Sequence, residues 1–183
     1  MGSAKRWGLQ LLLAVAPLCC SANEAPETCH RVEVDAHVRQ QFSIYGPLSI
    51  DREYFGFIFL HEGALGSAVV RGNSCARTFE CGVNNSAAAR AIPLGAKVLG
   101  EWHTHPKGGS TTLSEADVTG AYRNRHIRCY VAFYGKPTGE VYSWDPQQTS
   151  VPTAMATRTL IGNFREKLVE ATDVPVRYVD SRS

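Results

Sequence analysis

A chain of 183 residues, 44% hydrophobic and 20% charged, carries enough apolar material for one globular domain that needs neither metal nor disulfide to hold its core. Its formal charge is +2 and no block of like charge stands out, which excludes nucleic-acid or membrane-surface binding driven by long-range electrostatics. Neither an internal repeat nor an interdomain linker interrupts it, so a single domain is expected after an export signal.

Lys5 and Arg6 open that signal, the apolar run 9–18 follows, and Cys20-Ser21-Ala22 fits the small-x-small rule for cleavage after Ala22. The run is short for a membrane span. An uncleaved anchor is one alternative, and a lipid anchor through Cys19 or Cys20 is another, although the residues before those cysteines make a poor lipobox. Removal of residues 1–22 leaves 17 basic and 17 acidic residues. The expected location is periplasmic or secreted, with no membrane span after signal removal. Cys29, Cys75, Cys81 and Cys129 then remain, an even set that suggests two disulfides in an oxidising compartment. Of the three pairings, Cys75–Cys81 and Cys29–Cys129 are favoured. Zinc binding by these cysteines is disfavoured, because none has the C-x-x-C spacing.

In the remaining domain, 23–183, residues 33–43 place Val34, Val38 and Phe42 at helical spacing, and Gly46-Pro47 ends that helix. Residues 54–60 read as a buried strand, Glu62-Gly63 as a turn, and 66–71 as a second strand. A third strand is expected around 78–83 and a short helix over 86–92. Residues 97–104 read as a central strand, followed by a Pro/Gly/Ser/Thr loop from Pro106 to Leu113. Ser114 opens a helix to about Arg123. Residues 128–134 form a strand, 136–139 a turn, and 140–144 the returning strand of a hairpin. Residues 153–171 are expected to form a closing helix. This order of elements predicts an α/β fold, a mixed sheet flanked by helices.

The chemically informative stretch is Glu101-Trp102-His103-Thr104-His105-Pro106, followed by Ser114-Glu115-Ala116-Asp117. Side chains two apart on a strand share a face, so His103 and His105 can offer two imidazoles to one metal. Trp102 faces the other way, into the core. Asp117 stands on the first turn of the next helix, where its carboxylate can turn back toward the histidines. Two nitrogens, one oxygen and a water make the open tetrahedral set of a catalytic zinc centre. Hydrolysis at such a centre needs a general base, and Glu53, at the mouth of strand 54–60, is the candidate. Asp51, Glu62 and Glu101 are the competing acids; Glu101 shares the strand face of His103 and would support the ligands from behind. Ser114 could donate a hydrogen bond to a developing oxyanion. Ser114-x-x-Asp117 is also an ordinary helix-capping pattern, and both roles can hold together.

The ordered set of Glu53, His103-Thr104-His105-Pro106 and Ser114-x-x-Asp117 resembles the JAMM (MPN) metallopeptidase signature. The resemblance covers residues 49–145 and extends to uncharacterised exported bacterial domains found alone or at the ends of secreted toxins. It implies a cytidine-deaminase-like core, His103, His105 and Asp117 as zinc ligands, Glu53 as acid/base, and Ser114 as stabiliser of the transition state. The usual signature has seven residues between the second histidine and the serine; here there are eight, 106–113. That extra residue leaves Ser110, Thr111 or Thr112 as alternative hydroxyls. The expected activity is zinc-dependent hydrolysis of a peptide or isopeptide bond, with a peptide or protein as partner and no nucleic acid. A non-catalytic interaction module of the same fold, or a secreted toxin domain with the same site, are the alternatives. Substrate identity and oligomeric state are left open.

Overall fold

The computed structural model of the chain describes residues 29–75, 82–109, 113–136, 138–148 and 177–179. The export signal (1–22), residues 78–81 of the strand expected around 78–83, the hydroxyls of residues 110–112 and the helix over 153–171 lie outside the described residues; Gly82 and Val83, the described end of that expected strand, belong to no strand.

The elements run α1 (Arg31–Tyr45), β1 (Tyr54–His61), β2 (Ala64–Arg71), α2 (Asn85–Arg90), β3 (Lys97–Thr104), α3 (Glu115–Arg123), β4 (Val131–Gly135), β5 (Val141–Trp144) and β6 (Arg177–Tyr178). Together the strands form one mixed sheet in the order β2-β1-β3-β4-β5-β6. Only β3 and β4 are parallel, and α3 lies in the crossover between them. The other neighbours are antiparallel. The β1–β2 hairpin closes at Glu62 and Gly63, both at positive φ (50° and 80°), the pattern of a tight turn matched to strand twist.

Alternation along the strands divides the core into two layers. On one face Val34, Val38 and Phe42 of α1 pack with Ile58, Leu99, Trp102 and Phe133. On the other, Val118, Ala121 and Tyr122 of α3 pack with Tyr130, Ala132, Tyr134 and Trp144. Trp102 is fully buried in the α1 layer, and its indole N–H donates to Ser67 Oγ at 3.1 Å. Its two strand neighbours, Glu101 and His103, therefore face α3.

The strand expected over 128–134 starts later, at Val131. Residues after α3 turn first, and Cys129 takes a φ of 68°, which a strand does not allow. Cys129 is joined to Cys29, the favoured pairing, so the bridge ties the chain ahead of α1 to the approach of β4. Cys75 is disulfide-bonded as well; Cys81, its expected partner, lies outside the described residues. The two-residue strand β6 was not anticipated, since so short a segment has no periodicity to read.

Gly100 makes the parallel pairing of β3 with β4 possible. A Cβ there would meet the Val131 carbonyl oxygen at 2.2 Å, a backbone atom that cannot rotate away. Gly100→Ala is expected to cost at least about 3 kcal/mol, the upper range for overpacking. Denaturant melts of the variant and the parent measure this, and an unchanged midpoint would contradict the close approach of the two strands.

Candidate metal centre

The parallel pair and its crossover bring the chemistry together at one end of the sheet. β3 carries His103 on the α3 face, and the chain leaves the strand at His105, whose backbone N–H donates to Gly135 O at 3.1 Å. The Nε2 atoms of His103 and His105 converge to 3.0 Å. Asp117 Oδ2 lies 3.5 Å from His103 Nε2. One ligand atom from each of the three residues falls within 4.8 Å of the others, a group able to hold a metal ion. Two nitrogens bound at about 2.0–2.1 Å to a tetrahedral zinc sit about 3.3 Å apart, close to the spacing seen here. The donor set of two imidazoles and a carboxylate fits zinc and leaves a coordination position for solvent.

Asp117 is mounted by the start of α3. Ser114 is the N-cap: its Oγ accepts from the Asp117 N–H at 3.2 Å, and its own N–H donates to Asp117 Oδ2 at 2.8 Å. This reciprocal capping box holds the carboxylate at the helix end, where the dipole favours negative charge. The Ser114 hydroxyl also donates to Asp117 Oδ2 at 2.7 Å. Ser114 thus holds the Asp117 carboxylate, which is the capping role the sequence allowed.

Glu53 reaches the site through strand register. Phe55 of β1 pairs with His103 of β3, so Glu53, two residues earlier, stands on the same face one step nearer the sheet end. Its carbonyl accepts from Gly72 N–H at 2.8 Å, and the next residue, Tyr54, donates its N–H to Thr104 Oγ1 at 2.9 Å. Burial pushes the Glu53 carboxyl up to about 7; His103 opposes the shift and Asp117 adds to it. A carboxyl poised near neutrality is suited to both taking and returning a proton.

Among the competing acids, Asp51 is held by Arg52 and Ser74 away from the ligands, with its carboxyl below the usual carboxylate range because of those hydrogen bonds. Glu101 is buried behind His103. Burial raises its carboxyl to about 7, against a short hydrogen bond donated by the Tyr130 hydroxyl. Asn124 Nδ2 donates to that hydroxyl at 2.9 Å, which completes a polar chain behind His103.

The charges are strongly coupled. Burial works against a charged His103, but Asp117, and then Glu53 and Glu101, outweigh it and raise the imidazole to about 9. Burial also works against ionised Asp117, and the histidines and Ser114 reverse it, holding the carboxyl well below its usual range. Without metal, His103 is therefore protonated at neutral pH. The raised His103 contributes stability that is fully present below the ordinary imidazole value of 6.5 and is lost as pH rises through about 9, and the depressed Asp117 contributes stability that is lost as pH falls below the ordinary carboxylate value of 3.8. A metal must displace the proton from His103, so zinc affinity is expected to climb by up to about tenfold per pH unit from about pH 6 to about pH 9. Chelator competition across that range, with proton release measured by calorimetry, checks this; a flat profile would mean that the imidazole enters the site already neutral.

One wall of the site was missed at the level of sequence. Tyr134 of β4 stacks on His105, with ring centroids 5.6 Å apart, and Tyr142 stacks on its far side at 5.4 Å. Burial pushes the Tyr134 phenol to about 12, so it stays a neutral hydrogen-bonding group. Tyr130 and Tyr134 share a face by strand alternation, but only the pairing of β4 beside β3 reveals that this face is the histidine face. His37, assigned no role, lies 2.9 Å from Ser67 Oγ on the α1 side of the sheet. No described helix is long and apolar enough to cross a membrane. No protein-family model and no curated protein matches the chain.

Proposed function

We propose that the chain is an exported zinc-dependent hydrolase of peptide or isopeptide bonds, with a cytidine-deaminase-like core of the JAMM type. The observation that carries this reading is the convergence of His103, His105 and Asp117 within 4.8 Å beside Glu53, a carboxyl raised to about 7. A bound zinc supplies a Lewis acid for the amide carbonyl and lowers the pKa of a water to about 7. His103 and His105 provide neutral nitrogens, and Tyr134 keeps the His105 ring in place by stacking. Asp117 provides the third donor from a carboxylate already fixed by the α3 cap. Glu53 takes the proton from the attacking water and returns it to the leaving nitrogen, so one carboxyl serves as base and then acid. Ser114 stabilises the tetrahedral state if its hydroxyl rotates from Asp117 toward the oxyanion; its hydrogen bond to Asp117 Oδ2 makes that a change of acceptor, with no movement of the helix.

The test is incubation of the purified, zinc-loaded chain with peptide and isopeptide libraries, read by mass spectrometry. Cleavage should disappear on chelation and return with zinc. Stoichiometric zinc with no amide turned over would contradict the proposal and leave a metal-bearing interaction module.

A further inference from the structure

One hydroxyl ties together the two elements that carry the metal cluster. α3 brings Asp117 on its first turn and ends at its C-cap, Asn124. β3 brings His103, with Glu101 two residues earlier on the same face. The Tyr130 hydroxyl lies between them: it accepts from Asn124 Nδ2 at 2.9 Å and donates to Glu101 Oε2. Tyr130 is fully buried, and Glu101 and His103 are buried beside it. A buried hydroxyl with one donor and one acceptor in place has a single orientation, and losing either bond leaves a buried polar group unpaired.

The place of Tyr130 is set just ahead of it. After α3 the chain turns back, with Ile127 N–H donating to Asn124 O at 2.9 Å and Tyr130 N–H to Ile127 O at 3.2 Å. Cys129 makes the last reversal before β4 at a φ of 68°, a left-handed conformation that side chains such as cysteine rarely adopt. It persists only where the surroundings impose it. Cys129 is also the residue bridged to Cys29, which lies 100 residues earlier, just ahead of α1. The bridge therefore anchors the one residue whose backbone directs Tyr130 onto the α3 face. Cys29 is exposed, so the bridge can be reached from solvent.

We propose that Tyr130 is a positioning residue of the metal centre, holding α3 against β3 so that Asp117 meets His103, and that the Cys29–Cys129 bridge fixes Tyr130 in that role and makes metal affinity depend on the oxidation state of the bridge. Exchange with a dithiol would bring two electrons and two protons to the bridge: its S–S bond breaks, thiols form on Cys29 and Cys129, and the dithiol becomes a disulfide. This role rests on the three metal ligands of the proposed hydrolase and not on its bond-breaking chemistry. Zinc affinity of the full chain, measured by chelator competition below the melting temperature of each variant, tests it without a cleavage assay. Tyr130→Phe keeps the ring and removes the hydroxyl, and should weaken zinc binding by about 10- to 100-fold. Cys29→Ser with Cys129→Ser, chosen because free thiols would themselves bind zinc, should give a loss of the same order. Combining the two changes should add little, because both act through one contact. Cys29→Ser with Cys129→Gly should regain part of the loss, since glycine takes the left-handed conformation unaided. A bridge that only stabilises the fold would lower the melting temperature of the serine pair and leave its zinc affinity at the parental value. That result, parental affinity in Tyr130→Phe, or losses that simply add would overturn the inference even if the parent cleaves amides. If the serine pair does not fold, Tyr130→Phe and the glycine pair decide. The expected losses in a chain that binds zinc and cleaves nothing would uphold the inference and refute the hydrolase reading.

Discussion

Glu53→Gln is expected to lower kcat by about 10²- to 10⁴-fold, the contribution of a positioned general acid–base, while zinc stays bound stoichiometrically. The amide keeps the shape and much of the hydrogen bonding of the carboxyl but cannot take a proton at any working pH. Glu53 is outside the ligand group, so metal content should not change. Its backbone is held by bonds from Gly72 and Tyr54 to neighbouring strands, which the substitution leaves intact. The loss should fall in kcat with KM nearly unchanged. In the parent, activity should also decline in acid, because a protonated Glu53 cannot take the proton from water; a bound dication beside it would hold the carboxyl below the value of about 7 that burial gives it without metal. Turnover by Glu53→Gln at the parental rate would remove Glu53 from the chemistry.

Asp117→Asn is expected to weaken zinc binding by more than about 100-fold, beyond the range for residues that merely support ligands. This substitution separates two roles that one oxygen performs. Asp117 Oδ2 accepts the Ser114 N–H and lies 3.5 Å from His103. An asparagine oxygen can still accept from the cap, so α3 should remain folded. It carries no charge, so it loses both the pull on His103 and the strength of an anionic ligand. Asp117→Ala should lose the metal equally and cost about 1 kcal/mol more in stability, because the cap goes as well. Isothermal titration with zinc and thermal melts of both variants distinguish these effects. Equal metal affinity in Asp117→Asn and the parent would show that the carboxylate is a cap alone.

The cluster of His103, His105 and Asp117 was legible in sequence because two simple periods place it. Strand alternation puts His103 and His105 on one side with Trp102 opposite, and the Ser114 cap marks where a helix begins and Asp117 returns. The bounds of β3 are read from its own eight residues, which are buried over most of their length. Glu53 was legible only by its order in the chain. Its place depends on Phe55 meeting His103 across two strands, and no linear pattern specifies that register. The same holds for Tyr134. The late start of β4 was hidden for a different reason. Residues 128–130 have strand-like composition, but the disulfide partner Cys129 takes a left-handed conformation that local propensity does not foresee.

The most direct test of a three-residue zinc centre is X-ray absorption at the zinc edge of the purified chain. The expected spectrum has two imidazole nitrogens and low-Z oxygen neighbours at about 2.0–2.2 Å, and changes when Asp117 becomes Asn. A spectrum dominated by sulfur at about 2.3 Å, or one that is the same with and without His103, His105 and Asp117, would contradict the account.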